Sequence, residues 1–293
     1  MSLSISGSCS ECIKPGGRQS FRFAWFFWKE WGLSGSNRAL KGVDAAIMLV
    51  LDSHAHCGMT LPLERLLPLW RNAAIDGGVL FSPVEEIYDR YDSNFVDSHY
   101  YRESRQRVHS YLKKIASQHI YVFWFVWNDF RLPEKAFTGV KWHRHSNEPK
   151  YRYGSEECER FIEHICNSRL PVIIEEEFYQ TLELAARFSS HTTVIIPHMG
   201  GLNGGYGRLK KAGLFENTRV YVDTALASPY EIEDFAANYG TGRIIFGSDF
   251  PFGDPDYERY KIEQIFSGKN LEKILGQNLL ELLNKPEAQF DSS

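Results

Sequence analysis

The sequence predicts an α/β chain folded as a closed (β/α)8 barrel, and three observations support this prediction. Eight apolar, β-branched runs recur from residue 46 onward, and they are continuous, as expected for strands buried on both faces. Amphipathic patterns with apolar residues three or four positions apart lie between most of these runs. Alternating strands and helices pair in parallel through right-handed crossovers. A barrel of about 250 residues fits the chain length, and an open doubly wound sheet is the alternative.

The predicted elements alternate along the chain with one irregular unit. The strands are predicted at Ile47–Asp52, Gly78–Ser82, Ile120–Trp127, Phe137–Trp142, Pro171–Ile174, Thr193–Pro197, Arg219–Asp223 and Arg243–Gly247. The helices are predicted at Leu63–Ala74, Tyr101–Ser117, Glu156–Asn167, Thr181–Phe188, Leu209–Phe215, Tyr230–Tyr239, Tyr257–Phe266 and Leu271–Leu283. Only about ten residues separate the third strand from the fourth, so that helix is short or absent. The long connection from Pro83 to Gln118 is expected to cover the site.

Composition excludes several classes of protein. The 293 residues are 43% hydrophobic and 24% charged, as in a folded globular chain. The net charge of −4 leaves no basic excess to neutralise phosphates, which argues against a nucleic-acid partner. No apolar run reaches the roughly 18 residues of a membrane-spanning helix. An odd number of cysteines, five, indicates a reducing compartment, so the expected location is the cytoplasm.

The chain divides into an N-terminal extension at 1–45, the barrel domain at 46–285 and a short tail at 286–293. The extension contains the pair Cys9-x-x-Cys12, which lacks the second pair of ligands that a structural zinc site needs. It also contains an aromatic patch at 21–28, which we expect to pack on the barrel or on a second subunit. The arm at 21–31 therefore favours a homodimer, and we assign the extension no catalytic role.

Polar side chains follow the predicted strands at their carboxyl ends, which converge on the catalytic face of a barrel. The first strand leads into His54-Ala-His56, and period-two geometry directs both imidazoles to the same side. The other candidates are Lys141 and His143 after the fourth strand, Glu175 to Glu177 after the fifth, His198 after the sixth, Asp223 after the seventh and Asp249 after the eighth. Such residues are the ligands and acid–base groups of metal-dependent enzymes.

Each candidate also has a simpler interpretation. His143 and His145 lie beside Arg144 in a charged stretch and are compatible with a solvated loop. The acidic run Glu175–Glu177 is compatible with a hydrated strand end, and Asp223 with a helix cap. Chance would scatter such residues along the strands, whereas here they follow most of the eight apolar runs. The recurrence therefore favours a functional site.

From about Ile47 to Leu283 the sequence resembles the amidohydrolase-related (amidohydrolase 2) family of metal-dependent hydrolases. The motifs that carry this resemblance are Asp52-Ser-His-Ala-His56, Gly139-Val-Lys-Trp-His143, Pro197-His-Met-Gly-Gly201, Phe246-Gly-Ser-Asp-Phe-Pro251 and the terminal helix with Asn278. The resemblance implies a (β/α)8 barrel that holds one divalent metal ion, most often zinc. It also implies a reaction on a small molecule, either hydrolysis or nonoxidative decarboxylation.

The resemblance assigns roles residue by residue. His54 and His56 match the metal ligands of the first strand, and Asp249 matches the carboxylate of the last strand. His198 matches the histidine that polarises the substrate. The departure is at the fifth strand, where the family has a histidine ligand and this chain has Glu175.

The glutamate on the fifth strand affects which divalent metal ion the site is expected to prefer. Glu175 is the aligned ligand, although a shift of one residue would present Glu176. A carboxylate would add negative charge and move the preference of the site from zinc toward manganese or magnesium.

The expected mechanism is hydrolysis of an amide, ester or lactone by a metal-activated water. Asp249 is expected to act as the general base, and His198 to stabilise charge on the carbonyl oxygen. Lys141 and His143 are candidates to hold a substrate carboxylate, with Asp223 as a further substrate contact. Lys141 is equally compatible with a structural ion pair.

Three other interpretations use the same residues. A decarboxylase would protonate the substrate carbon through Asp249 or His198 and release carbon dioxide. Some relatives that the chain resembles are metal-independent lactonases, and Glu175 on the fifth strand favours that alternative. A scaffold without activity would not explain why two histidines and a distant carboxylate recur together.

Overall fold

The computed structural model describes residues 48–284, and within them eight parallel strands form a nearly closed barrel. Each strand pairs in parallel with the next one along the chain, and the register shifts once within the β1–β2 pair and once within the β3–β4 pair. The strands are β1 Leu51–His56, β2 Gly77–Phe81, β3 Ile120–Phe125, β4 Phe137–His143, β5 Val172–Glu175, β6 Val194–Ile196, β7 Val220–Asp223 and β8 Ile244–Ile245. This confirms the predicted fold class. The extension 1–45, with Cys9, Cys12 and the aromatic patch, and the tail 286–293 lie outside the described residues.

Helices connect the strands and surround the barrel. They are α1 Leu63–Asn72, α2 His99–Ile115, α3 Glu156–Asn167, α4 Phe178–Ser189, α5 Tyr206–Lys211, α6 Pro229–Tyr239, α7 Pro255–Ile265, α8 Gly268–Glu272 and α9 Asn278–Leu283. Serine hydroxyls start three of them by accepting a backbone N–H of the first turn, at Ser98, Ser155 and Ser228. Shorter 3-10 turns occupy Val84–Glu86, Pro197–Gly200 and Leu214–Glu216.

The barrel closes between β8 and β1 through separate backbone hydrogen bonds. The amide of Ser53 donates to the carbonyl of Phe246 at 2.7 Å, and the amide of Asp249 donates to the carbonyl of His54 at 2.7 Å. The amide of His56 donates to the carbonyl of Phe250 at 2.8 Å. The segment after β8 is therefore held against the strand that carries the two candidate histidines.

Two layers of apolar side chains surround the strand backbones, because successive residues of a strand point to opposite faces. The inner layer fills the barrel below the site and is closed at the bottom by two leucines of α9. Its buried members are Leu51, Val79, Phe81, Phe123, Ile173, Ile195, Tyr221, Ile245, Leu279 and Leu282. The larger outer layer packs the strands against the helices. The site residues lie above the inner layer, whose closely packed side chains fill the barrel beneath them.

The unit between β3 and β4 contains no helix within residues 126–136, which confirms the irregular third unit. The outer face of Trp124 is covered instead by His109 of α2. The two rings stack with centroids 3.7 Å apart and planes 19° apart. Phe137 meets both rings edge-on, so aromatic packing takes the place of the missing helix.

Several predicted boundaries were wrong for identifiable reasons. Strand β1 extends to His56 instead of ending at Asp52, because the polar residues of a barrel mouth can occupy strand positions as well as apolar ones. The helix predicted over Leu209–Phe215 ends at Lys211, because Gly213 has a left-handed φ of 77° that starts a 3-10 turn. The last predicted helix is divided by a π-helical turn at Lys273–Gln277.

No helix within residues 48–284 combines the length and the apolar composition that crossing a bilayer requires.

We predict that Gly78→Ala destabilises the barrel by about 3 kcal/mol, because an added Cβ would meet neighbouring backbone. That Cβ would lie 2.0 Å from the carbonyl oxygen of Asp52 on β1. Urea unfolding should show a lower midpoint with an unchanged m-value. Gly242→Ala is the matched control, because nothing lies within 4 Å of its Cβ, and its stability should stay within about 0.5 kcal/mol. Equal stability of the two variants would contradict the close approach of β1 and β2.

Candidate functional site

The polar side chains predicted from the sequence meet at the carboxyl ends of the strands, and nearly all of them are buried. His54 and His56 lie on β1, Lys141 and His143 on β4, Glu175 at the end of β5, His198 after β6, Asp223 at the end of β7 and Asp249 after β8. None of these side chains is more than a few per cent exposed. A buried cluster of this size needs internal partners, since unpaired buried charges are costly.

The first group joins the two histidines of β1 to Asp249. The Nε2 atoms of His54 and His56 lie 3.3 and 3.4 Å from the same oxygen, Oδ1 of Asp249. Asp249 reaches this position with a left-handed φ of 55°, which is uncommon for a residue other than glycine. The structure therefore brings together residues that are almost two hundred positions apart in sequence.

The outer nitrogens of both imidazoles have acceptors. Nδ1 of His54 lies 2.7 Å from Oδ2 of Asp223, and Nδ1 of His56 lies 3.0 Å from the carbonyl oxygen of Ser82. Acceptors at both Nδ1 atoms favour a proton on that nitrogen, and in this tautomer each Nε2 atom, which lies beside Asp249, is available as a metal ligand.

Asp223 lies behind His54, with both carboxylate oxygens engaged. Oδ1 of Asp223 accepts the amides of His198 at 2.8 Å and Ala225 at 3.1 Å, while Oδ2 contacts His54. The side chain is fully buried. Its contacts are those of a residue that orients two histidines, and neither oxygen faces the cavity at the barrel mouth.

His198 enters the site from a strained turn after β6. His198 and Met199 both have left-handed backbone, with φ of 54° and 52°. Nδ1 of His198 lies 3.0 Å from the carbonyl oxygen of Ala225. Its Nε2 is 3.7 Å from Oε2 of Glu175 and 3.9 Å from Oδ2 of Asp249. His198 thus repeats the orientation of the two histidines on β1.

Lys141 and Glu175 form a fully buried ion pair beside His54. The ammonium Nζ is 2.6 Å from Oε2 of Glu175 and 3.3 Å from Nε2 of His54. It also lies 4.8 Å from the centre of the Phe81 ring. The Glu175 carboxylate of β5 therefore compensates the positive charge of Lys141, which agrees with the interpretation of Lys141 as a structural ion-pair partner.

The acidic run after β5 separates into two environments. Oε1 of Glu175 accepts from Nε2 of His145 at 2.7 Å and is 3.3 Å from Nε2 of His143. Glu176 points the other way and accepts from Nε of Arg144 at 2.9 Å. Of Glu175 and Glu176, it is therefore Glu175 that faces the site.

A second set of residues, which sequence reasoning did not assign to the site, holds His143 and His145. The hydroxyl of Tyr88 is 3.2 Å from Nδ1 of His143 and donates to Oε2 of Glu148 at 2.8 Å. Arg90 forms an ion pair with the other oxygen of Glu148 at 2.5 Å. Tyr88 and Arg90 lie on the long connection after β2, where no periodicity fixes side-chain positions, so no sequence signal identified them.

The electrostatics of the cluster distinguish its members. Burial lowers the pKa of His54 to about 4, assisted by the Lys141 ammonium. Burial alone would also lower the pKa of His198, but the carboxylates of Glu175, Asp223 and Asp249 raise it to about 9. The pKa of Asp249 falls to about 2 despite burial, because three imidazoles surround it. Desolvation would raise the pKa of Glu175, yet Lys141 and His143 hold it well below its ordinary value.

A cavity of about 250 Å³ leads from solvent to this cluster. It meets the site at His56 and is lined there by Phe252, whose ring is edge-on to His56 with centroids 5.7 Å apart. Pro83, Glu85 and Arg90 are also among the residues that line it. The size of the cavity fits a small molecule.

The donor set fits a divalent metal ion. His54, His56 and Asp249 offer ligand atoms within 4.8 Å of one another, and so do His54, Glu175 and His198. Imidazole Nε2 atoms with acceptors on their Nδ1 side, together with carboxylates, are the donor chemistry of zinc and related ions. The arrangement can therefore hold an ion, activate a water and stabilise charge on an oxygen.

A family model described as amidohydrolase matches residues 128–285, more than half of the chain. The chain belongs to the amidohydrolase family. The matched stretch of this amidohydrolase contains Lys141, Glu175, His198 and Asp249, and it begins after the two histidines of β1. A search of curated proteins finds no significant match.

Solved structures share the fold of this amidohydrolase. A candidate 2-pyrone-4,6-dicarboxylic acid hydrolase from Pseudomonas putida has a TM-score of 0.61 at 16% identity, covering 84% of this chain and 99% of that one. A 5-carboxyvanillate decarboxylase from Sphingomonas paucimobilis has a TM-score of 0.62 at 9% identity, covering 80% and 99%. A zinc-bound amidohydrolase from Burkholderia multivorans has a TM-score of 0.58 at 14% identity, covering 81% and 100%. At these identities the likeness concerns the fold.

We predict that the metal-free amidohydrolase has two histidines in opposite protonation states near neutral pH. His54 should be neutral with its proton on Nδ1, and His198 should be doubly protonated and lose a proton near its pKa of about 9. Long-range proton–nitrogen NMR spectra of the histidine rings measure both properties.

Asp223→Asn tests the origin of these states. Its amide would face Nδ1 of His54 and should move the His54 proton to Nε2, while the pKa of His198 should fall because a nearby negative charge is lost. A wild-type His54 that carries its proton on Nε2 would contradict the assignment.

Proposed function

We propose that this amidohydrolase is a metal-dependent hydrolase that cleaves a small amide, ester or lactone with an activated water. One observation carries the proposal: the Nε2 atoms of His54 and His56 converge on a single carboxylate oxygen of Asp249. The acceptors behind both imidazoles keep these lone pairs directed inward. Family membership supports a reaction of this class.

The metal would be held by His54, His56 and Asp249, with Glu175 beside them. A bound divalent ion supplies Lewis-acid polarisation and lowers the pKa of water from 15.7 toward about 7. Zinc is the ion we propose, since two imidazoles and a carboxylate form a common catalytic zinc set. The zinc in the Burkholderia multivorans structure supports this choice, and manganese or magnesium is the alternative.

The chain's own residues supply the proton transfers. The Asp249 carboxylate is ionised over the whole neutral range because its pKa is about 2, so it can accept a proton from the attacking water. It would then pass this proton to the leaving nitrogen or oxygen as the carbonyl carbon releases it. Such a weak base needs a water that is already acidified, which the centre we propose would provide. His198 is positioned to donate a hydrogen bond from Nε2 to the carbonyl oxygen as negative charge develops there.

Lys141 acts in this scheme as a positioning residue. Its ammonium is completely buried and bonded to Glu175, so a direct contact with a substrate carboxylate would require breaking that ion pair. Removing one partner of a buried pair is strongly destabilising. We therefore assign Lys141 to holding Glu175 and His54 in place.

A decarboxylase is the second candidate, favoured by the decarboxylases from Sphingomonas paucimobilis and Rhizobium that share the fold. In that reaction the substrate loses carbon dioxide and its carbon takes a proton, for which His198, with a pKa of about 9, is the suitable donor. Release of carbon dioxide from an aromatic acid, without consumption of water, would identify this activity.

A metal-independent lactonase is the third candidate. The Lys141 ammonium, 3.3 Å from Nε2 of His54, places a positive charge inside the cluster without any ion. Full activity after removal of all metal would favour this candidate over the first.

We also propose a cytoplasmic enzyme that forms a homodimer. Free thiols at Cys57, Cys158 and Cys166 are compatible with a reducing compartment. The aromatic patch of the extension would supply a surface for self-association.

We predict that Asp249→Asn lowers turnover by about a hundredfold to ten-thousandfold, because the amide cannot accept the proton. The assay is a panel of small lactones, carboxylate esters and aromatic acids, followed as acid release and as carbon dioxide release. The metal content of protein purified without chelator is measured on the same samples. Asp256→Asn, the same change at an exposed aspartate on α7, is the matched control and should keep its activity. Unchanged turnover in Asp249→Asn would refute the role of this residue.

A further inference from the structure

Arg90 is the cation that lines the cavity at the mouth of the site, among the residues the structure describes. Arg90 on the connection after β2 and His56 on β1 both line this cavity. Leu61, Pro83 and Phe252 contribute apolar surface to the same lining. The lining of the cavity therefore combines a cationic group, apolar surface and one histidine of the candidate catalytic centre.

The guanidinium of Arg90 is held on one side only. Its NH2 group pairs with Glu148 at 2.5 Å and lies 3.2 Å from Nδ1 of His145. Glu148 is itself buried and accepts from the hydroxyl of Tyr88 and the amide of His145. This network fixes the orientation of Arg90 before any ligand arrives, which lowers the cost of binding.

The other side of the guanidinium faces a weak internal partner. NH1 of Arg90 is 3.5 Å from Oε1 of Glu85, too long for a good hydrogen bond, and the Glu85 side chain is 48% exposed. Within residues 48–284, Nε of Arg90 has no hydrogen-bond partner. An exposed pair of this length contributes little, so Glu85 can be displaced.

From these contacts we infer that Arg90 anchors a carboxylate of the substrate, and that Glu85 occupies the anchor when no substrate is bound. The two hydrogens of NH2 are taken by Glu148 and His145, so the donor available to a ligand carboxylate is NH1, the nitrogen that Glu85 already faces. A hydrogen bond from this cationic group to a carboxylate is strengthened by the opposite charges. The substrate is thus a small organic acid with its apolar body against Phe252 and its reacting group toward His56. This inference rests on the proposed function for the location of the reacting group.

Equilibrium binding tests the anchor without turnover. The probes are benzoate and its neutral counterpart benzamide, titrated calorimetrically into the full chain as purified and after chelator treatment. Arg90→Met should weaken benzoate binding about tenfold to a hundredfold and leave benzamide unchanged. Glu85→Gln should tighten benzoate binding about twofold to fivefold, because the competing carboxylate is gone. Arg160→Met, an exposed arginine on α3, is the matched control and should bind both probes like wild type.

The outcomes are distinguishable. If Arg90→Met leaves Glu148 without its partner and fails to fold, Arg90→Lys and Glu85→Gln test the anchor. Arg90→Lys should retain part of the wild-type affinity for benzoate, and Glu85→Gln should bind benzoate more tightly than wild type. Wild-type benzoate affinity in Arg90→Met, or weaker binding in Glu85→Gln, would overturn the anchor. If the protein as purified contained no metal and hydrolysed none of the panel substrates, the proposed function would be refuted. A difference in benzoate binding between wild type and Arg90→Met in chelator-treated protein would still support the anchor.

Discussion

The arrangement of the site depends on the Asp52 carboxylate, which joins the first and last strands of the barrel. Oδ1 of Asp52 accepts the amides of His54 at 3.0 Å and Ser248 at 2.9 Å. Oδ2 accepts from the Ser248 hydroxyl at 2.5 Å and from Nε1 of Trp70 at 3.1 Å. Because β8 has only two residues in its ladder, these bonds align the segment that carries Asp249 with β1. A completely buried carboxylate with four donors is costly to desolvate, and burial raises its pKa to about 7.

The fold was predictable because the barrel strands are buried on both faces and appear as continuous apolar runs. The bounds were predictable only where a run ended at a turn, as for α3, which was predicted residue for residue at Glu156–Asn167. The predicted bounds were wrong where polar residues of the site continue a strand beyond its apolar run, as His54 and His56 do in β1. They also failed at the C-terminus, where a π-helical turn replaces regular helix and leaves no signature in the apolar pattern.

The site was predictable for those residues that lie at the carboxyl ends of strands, because these ends converge at one mouth of a parallel barrel. His54, His56 and Asp249 were brought together by the geometry of a parallel barrel alone. The pairing of Lys141 with Glu175, and the split between Glu175 and Glu176, depend on side-chain directions on adjacent strands β4 and β5, whose register a sequence does not reveal. Arg90, Glu85 and Glu148 lie on irregular connections, so only coordinates place them at the cavity.

The ion pair on β5 changes the expected charge of the centre. Glu175 alone would add negative charge beside an ion and weaken its Lewis acidity, which from the sequence favoured manganese or magnesium. The Lys141 ammonium, 2.6 Å away, offsets that charge, so the net negative group facing the two imidazoles of β1 is Asp249. Two imidazoles and one carboxylate that is not paired with the lysine resemble a catalytic zinc set more than an oxygen-rich magnesium set. Lysine on β4 thus compensates for a carboxylate on β5 and supports zinc as the proposed ion.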